Sequence, residues 1–291
     1  MVREDFSTII RKIRIFSGAI LFAYVIMHLL NHSINIFSID LADSVRSSYF
    51  HPIWQNPVGL VLLYGSLIAH MILGFSSILT RKSFKMKAKD WIQIIFPVLA
   101  LLFLIQHIAV SFIITKIFGG EETYSVFFAA MNTETPSDLI VGAILFSLMT
   151  IFIWVHGAIG IDSYLKQQAV HHNKFTFYIR YPSLFRFVYW IVPVGAVLGW
   201  LSGLRNMSFI AQIQSFEMDM PIPNYLGSII FKYIPQEAFP IIMQVEPLVM
   251  KYYPLVILFI VLVCVFNVVR ARFFGRIMIS YPGGESVSIP K

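Results

Sequence analysis

Residues 14–37 read RIFSGAILFAYVIMHLLNHSINIF. In 24 residues the only formal charge is Arg14, at the start, yet the run holds His28, Asn31 and His32. A membrane-spanning helix needs about 20 mostly apolar residues, so this stretch is long enough to cross a bilayer. It is too long for a signal peptide and lacks a small-residue cleavage site. Five more runs of the same kind follow, at 57–79, 91–118, 138–164, 184–204 and 250–273. The expected fold is an all-α membrane protein, a six-transmembrane helix bundle. The composition agrees. Of 291 residues 57% are hydrophobic and 13% charged, with mean hydropathy +0.75, against roughly 25% charged in soluble domains. Disorder, collagen and coiled coil are excluded by the same figures. The one cysteine, Cys264, excludes a disulfide framework and any Cys-ligated zinc or iron–sulfur centre within this stretch.

Charge gives the orientation. With six spans, both termini share a side with the loops after spans two and four. That side carries 17 of the 22 Lys and Arg, and 5 of the 15 Asp and Glu. Basic loops stay in the cytoplasm, so both termini are expected there. The net charge of +7 then reflects topology and lipid headgroup contact, with no nucleic acid implied. The long connector 206–244 is expected to cap the outer face, with a short interfacial helix around 229–233. Trp54, Trp91 and Trp200 near span ends read as interfacial. Pro97 and Pro193 inside spans read as kinks. No repeat argues for an inverted-repeat transporter.

The last residues change character. Residues 277–281 and 287–289 alternate apolar and polar about Pro282, Gly283 and Gly284, which reads as strand, turn, strand. Two strands alone are not stable in water. The expected organisation is a membrane unit over 1–276, then the start of a truncated cytoplasmic β module over 277–291.

The chain has eight histidines. His51, His171 and His172 fall in connectors, where solvated surface is the ordinary reading. His28, His70, His107 and His156 fall inside spans one to four, one per span. An ionisable side chain in the bilayer is expensive and marks a functional site, although any single one is equally well explained by an interhelical hydrogen bond. Depth separates the two readings. At about 1.5 Å per residue from the cytoplasmic end, His28 and His107 lie roughly 21 and 24 Å deep, His70 and His156 roughly 15 and 12 Å. Two imidazoles at one level, twice over, suit six-coordinate haem b, whose macrocycle fills a bundle core. Zinc wants three or four ligands at one depth. Gly18, Gly65, Gly74, Gly157 and Gly160 are candidates for close approach of a ring. Arg205 is the candidate propionate partner for the outer haem, and Arg14, Ser17 and Arg186 for the inner. His32 lies one turn from His28 on the same face, and either could ligate by periodicity alone; depth favours His28, which leaves His32 as a candidate for support of the ligands or for a quinone pocket.

The run Ser17-Gly18 through His28-Leu29-Leu30-Asn31 resembles the first helix of the cytochrome b anchor of diheme succinate dehydrogenases and fumarate reductases. The resemblance implies that His28, His70, His107 and His156 are axial ligands, paired first span with third and second with fourth. That anchor has five spans and this chain six. Phe22-Ala23-Tyr24-Val25 before His28-Leu29-Leu30-Asn31-His32, Trp154-Val155-His156-Gly157 and Gly203-Leu204-Arg205 are similar to a subgroup, the six-helix diheme anchors fused to bacterial class III adenylate/guanylate cyclases. The tail, Ile279-Ser280-Tyr281-Pro282-Gly283-Gly284 through Ser288-Ile289-Pro290, resembles the opening hairpin of a [2Fe–2S] ferredoxin module.

The resemblance implies two haem b groups, a quinone or quinol partner, a bacterial inner membrane, and redox sensing passed to a downstream cytoplasmic cyclase, with a homodimer through that output domain as a further possibility. The [2Fe–2S] cluster would belong only to the missing module, and no cyclase residues are present. Two rival readings stand beside it. One is an anchor subunit of a succinate dehydrogenase or fumarate reductase; the other is a histidine-relay transporter or channel without haem.

Overall fold

Lipid offers the backbone no hydrogen bonds, so apolar runs of this length pair their N–H and C=O groups internally, as helices. The computed structural model describes residues 6–80, 85–121, 123–132, 136–172, 174–273, 276–280 and 286–290. In chain order the helices are α1 (Phe6–Ile34), α2 (Ile39–Val45), α3 (His51–Trp54), α4 (Pro57–Leu79), α5 (Ala88–Phe112), α6 (Tyr124–Asn132), α7 (Pro136–His172), α8 (Thr176–Arg180), α9 (Pro182–Glu217), α10 (Ile222–Tyr233) and α11 (Phe239–Phe273). The strands β1 (Arg276–Ser280) and β2 (Ser286–Pro290) follow. Six helices, α1, α4, α5, α7, α9 and α11, are long and apolar enough to cross a membrane. The chain is thus a multi-pass helical membrane protein.

Helix α1 packs against α4, α7 and α9, and α5 packs against α7. Helix α11 closes the gap between α4 and α5. It does so with polar tips on an otherwise lipid-facing rod: the Tyr253 hydroxyl donates to the Val98 carbonyl, and the Asn267 amide to the Leu79 carbonyl. Helices α4, α1, α7, α5 and α11 therefore form a ring, with α9 outside it against α1 and α7. The crossing of α1 and α9 is tight enough to require Gly199, where any side chain would run into the His32 carbonyl and the Ser33 backbone.

One end of the bundle is capped. Helices α2, α6 and α10, from three different connectors, bury Ala42, Phe128, Ala129, Leu226 and Ile230 with Leu204 and Met207 of α9. Asp43 accepts from the backbone N–H of Tyr124 at 2.7 Å and of Ser125 at 3.3 Å, which satisfies the start of α6. The opposite end, the terminal end, carries the start of α1 and the end of α11. There Asp162 accepts from the Tyr178 hydroxyl at 2.7 Å and pairs with Lys166 at 2.8 Å, while Tyr178 and Tyr189 share a 2.6 Å hydrogen bond. Burial, then the bonds to Tyr189 and Asp162, push the Tyr178 phenol above its usual range.

The structure extends three expectations and corrects one. The long connector is mostly helical. Helix α9 continues past the membrane to Glu217 and stops where Asp219 takes a left-handed φ of 49°. The capping helix α10 runs over Ile222–Tyr233, longer than the stretch expected around 229–233. Helix α11 starts at Phe239, well before residue 250, in spite of Pro247 and Pro254 inside it. Trp200, expected at an interface, is instead only 3% exposed, in the core of the capped end. In the tail β1 and β2 pair antiparallel, with Ile277 opposite Ile289 and Ile279 opposite Val287; residues 281–285, where the turn was expected, lie outside the described residues.

Candidate functional site

A cavity of about 720 Å³ runs lengthwise inside the ring. This lies within the roughly 300–1,000 Å³ usual for a ligand or cofactor site. It is lined by α1, α4, α5 and α7, from Arg14 and Tyr164 at the terminal end to His51 and Gln55 at the capped end. His28, His70, His107 and His156 all line it. They meet in two pairs. The ring centres of His70 and His156 are 6.1 Å apart, and those of His28 and His107 are 6.2 Å apart. A metal–imidazole bond of about 2.0–2.1 Å, plus roughly 1.1 Å from nitrogen to ring centre, puts two trans imidazoles about 6 Å apart. Both pairs stand at that spacing. Among the described residues no cluster of three or more His, Cys, Asp or Glu is placed to hold a bare metal ion.

The terminal-end pair is held by backbone carbonyls. The His156 Nδ1 lies 3.1 Å from the Gln93 carbonyl, and the His70 Nδ1 lies 3.2 Å from the Arg14 carbonyl. A carbonyl can only accept, so each Nδ1 carries the proton and each Nε2 keeps its lone pair toward the cavity. The Gln93 carbonyl is available for a local reason. Its helical partner would be the N–H of residue 97, and residue 97 is proline. Pro97 thus frees the acceptor that orients His156. The Gln93 side chain then donates back to the His156 carbonyl at 3.0 Å. The same device recurs two residues away on α7. Pro193 in α9 frees the Tyr189 carbonyl, which accepts from the Trp154 indole at 2.7 Å. Both prolines were expected only to kink their helices; each also supplies an acceptor to α7. On the other side of the pair, Gly18 lets the His70 ring lie against α1, since a Cβ there would sit 2.9 Å from its Cε1. Ser17, expected near a propionate, is buried and lies 3.3 Å from His70 Nδ1.

The capped-end cluster is different. His28 and His32 face each other with their Nε2 atoms 3.1 Å apart, one ring donating and the other accepting. The Tyr24 ring stacks on His28 at 5.5 Å, and Tyr124 meets His32 edge-on at 5.2 Å. The Tyr124 hydroxyl accepts from the Asn31 amide at 3.0 Å, and Asn31 is buried. Burial raises the Tyr124 phenol well above its usual range, so it stays neutral. Among the described residues the buried Nδ1 of His32 has no hydrogen-bond partner.

The remaining candidates divide. Arg14 lines the cavity, whereas Arg186 and Arg205 are exposed and do not. At the capped end the cation in the lining is Arg46, which donates to His51 Nε2 at 2.7 Å and pairs with Asp43 at 3.4 Å. His51, expected as solvated connector, is half-buried in that lining; nothing in the sequence of α2 and its surroundings signals this. Gly74 lines the cavity with open space above it, Gly160 lines it with the Gln93 amide 3.9 Å from where a Cβ would sit, Gly157 is covered by the Phe22 ring, and Gly65 lies outside. No family model, curated protein or solved structure matches the chain.

Proposed function

We propose that this chain is a membrane redox input domain holding two b-type haems, one on His70 and His156 and the other on His107 with His28. The single observation that supports it is the pair of opposed imidazole sets, each about 6 Å between ring centres, stacked in one cavity. Haem b, when bound, supplies reversible one-electron transfer. The chain's own part is to hold and orient. His70 and His156 present Nε2 because backbone carbonyls take Nδ1, and Gly74 and Gly160 leave room against the helix backbones. Arg14 and Arg46 offer cationic partners for carboxylates at the two mouths.

The 17-of-22 bias of Lys and Arg favours cytoplasmic termini in a bacterial inner membrane. A membrane quinol or quinone is the fitting exchange partner. The hairpin β1–β2 directly after α11 favours a fused cytoplasmic output, of the nucleotide-cyclase kind implied by the sequence resemblance, over a docked respiratory partner. Signalling then requires the two redox states to differ in free energy of interaction with that output. The test is a potentiometric titration of the purified chain followed in the visible. Two low-spin b-type transitions are expected; a chain without Soret absorption overturns the reading and favours a histidine relay.

A further inference from the structure

The capped end offers three imidazoles where two suffice. His28, His32 and His107 all line the cavity. His28 and His32 lie four residues apart on α1, which puts them on one face. Their Nε2 atoms lie 3.1 Å apart, one donating and the other accepting, so both nitrogens are within reach of one position in the cavity. The His107 ring stands 6.2 Å from His28 between centres.

Nothing in the backbone chooses between the two. At the terminal end each ring is fixed through Nδ1 by a carbonyl. The His32 Nδ1, by contrast, is buried and unpartnered among the described residues, and the ring bond of His28 goes to His32 itself. The neighbouring contacts are ring faces and edges, from Tyr24 on His28 and Tyr124 on His32, which do not fix a tautomer. The bond between them joins Nε2 to Nε2, so either nitrogen that turns to a metal breaks it and leaves the other ring beside it, free to take its place.

We propose that His32 is an exchangeable axial ligand of the capped-end haem. The iron–imidazole bond to His28 can break and one to His32 form, with His107 retained on the opposite face. This rests on the diheme reading above. It adds a built-in second coordination state at one level of the membrane and not at the other.

The test uses the full chain in detergent, with haem counted by pyridine haemochrome and spin state read by low-temperature electron paramagnetic resonance. The terminal-end haem serves as the internal check that the bundle has folded. H28A is expected to keep two low-spin haems per chain, the H28A/H32A double variant one, and H107A one. If alanine costs the fold, so that both haems vanish, H28L preserves side-chain bulk and carries the same expectation as H28A. One remaining haem in H28A or H28L, with the terminal-end signal intact, overturns the exchange and leaves the diheme reading standing. A wild-type chain without haem overturns the diheme reading itself, before any variant is made.

Discussion

The two histidine levels differ in what holds the rings. At the terminal end, His70 and His156 are each locked by a backbone carbonyl, 3.2 and 3.1 Å from Nδ1. At the capped end, His28 and His32 hold one another at 3.1 Å, beside Tyr124 of the capped-end apolar core. Orientation comes from backbone in one place and from side chains in the other. Backbone acceptors cannot be exchanged; side-chain partners can. The terminal-end level is thus the rigid one, and the capped-end level the adaptable one.

The sharpest way to break this contrast is to remove ligands that have no substitute. H70A and H156A should each lose one of two haems, counted by pyridine haemochrome, because nothing else at that level can replace the ring. Retention of both haems in either variant would remove the distinction between the levels.

The next effect is indirect. Pro97→Ala gives α5 an N–H that can claim the Gln93 carbonyl, in competition with His156. Loss of such an orienting partner commonly costs about 10–100-fold in metal affinity or activity. Because only the bond angle and sharing change here, a shift nearer tenfold is expected, or about 59 mV for a one-electron couple. It should appear in one haem potential only. Equal movement of both would mean that Pro97 acts on the bundle as a whole.

A smaller, purely structural effect is expected at the capped end. Tyr124→Phe deprives the buried Asn31 amide of its acceptor, and an unmet buried polar group costs about 1–3 kcal/mol. Thermal unfolding in detergent should fall accordingly, with the haem count unchanged. The pH dependence has a definite sign. Burial raises the Tyr124 phenol in the folded chain, so its contribution is fully present below the ordinary tyrosine value of 10.0 and is lost as pH rises beyond it, when only the unfolded chain ionises. Y124F should therefore show less alkaline loss of stability than the wild type. Ser17→Ala should do least, below about 1 kcal/mol, since the Arg14 carbonyl still holds His70.

Much of this architecture was readable from apolar run length. Six spans follow from 20-residue windows with few charges, and the histidine pairs follow from one ring per span sorted by depth. What was not readable depended on azimuth and on neighbours. Arg205 lies near a span end in sequence but is exposed; Arg46, in a connector, is the arginine that reaches the cavity at the capped end. Depth along a helix is written in residue number, whereas the direction a side chain takes around it depends on packing that no single sequence displays. Pro97 shows the same gap. Its missing N–H was evident, but the user of the freed Gln93 carbonyl lies on another helix, 63 residues away. The reach of α9 to Glu217 was missed because its polar continuation carries no breaker before Asp219.

The most direct test is the ratio of haem to protein in the purified, unmodified chain. Two b-type haems per chain, both low-spin, are expected from two opposed imidazole pairs. A colourless preparation, or a single haem bound with no second site under saturating haem, would contradict the two-level arrangement.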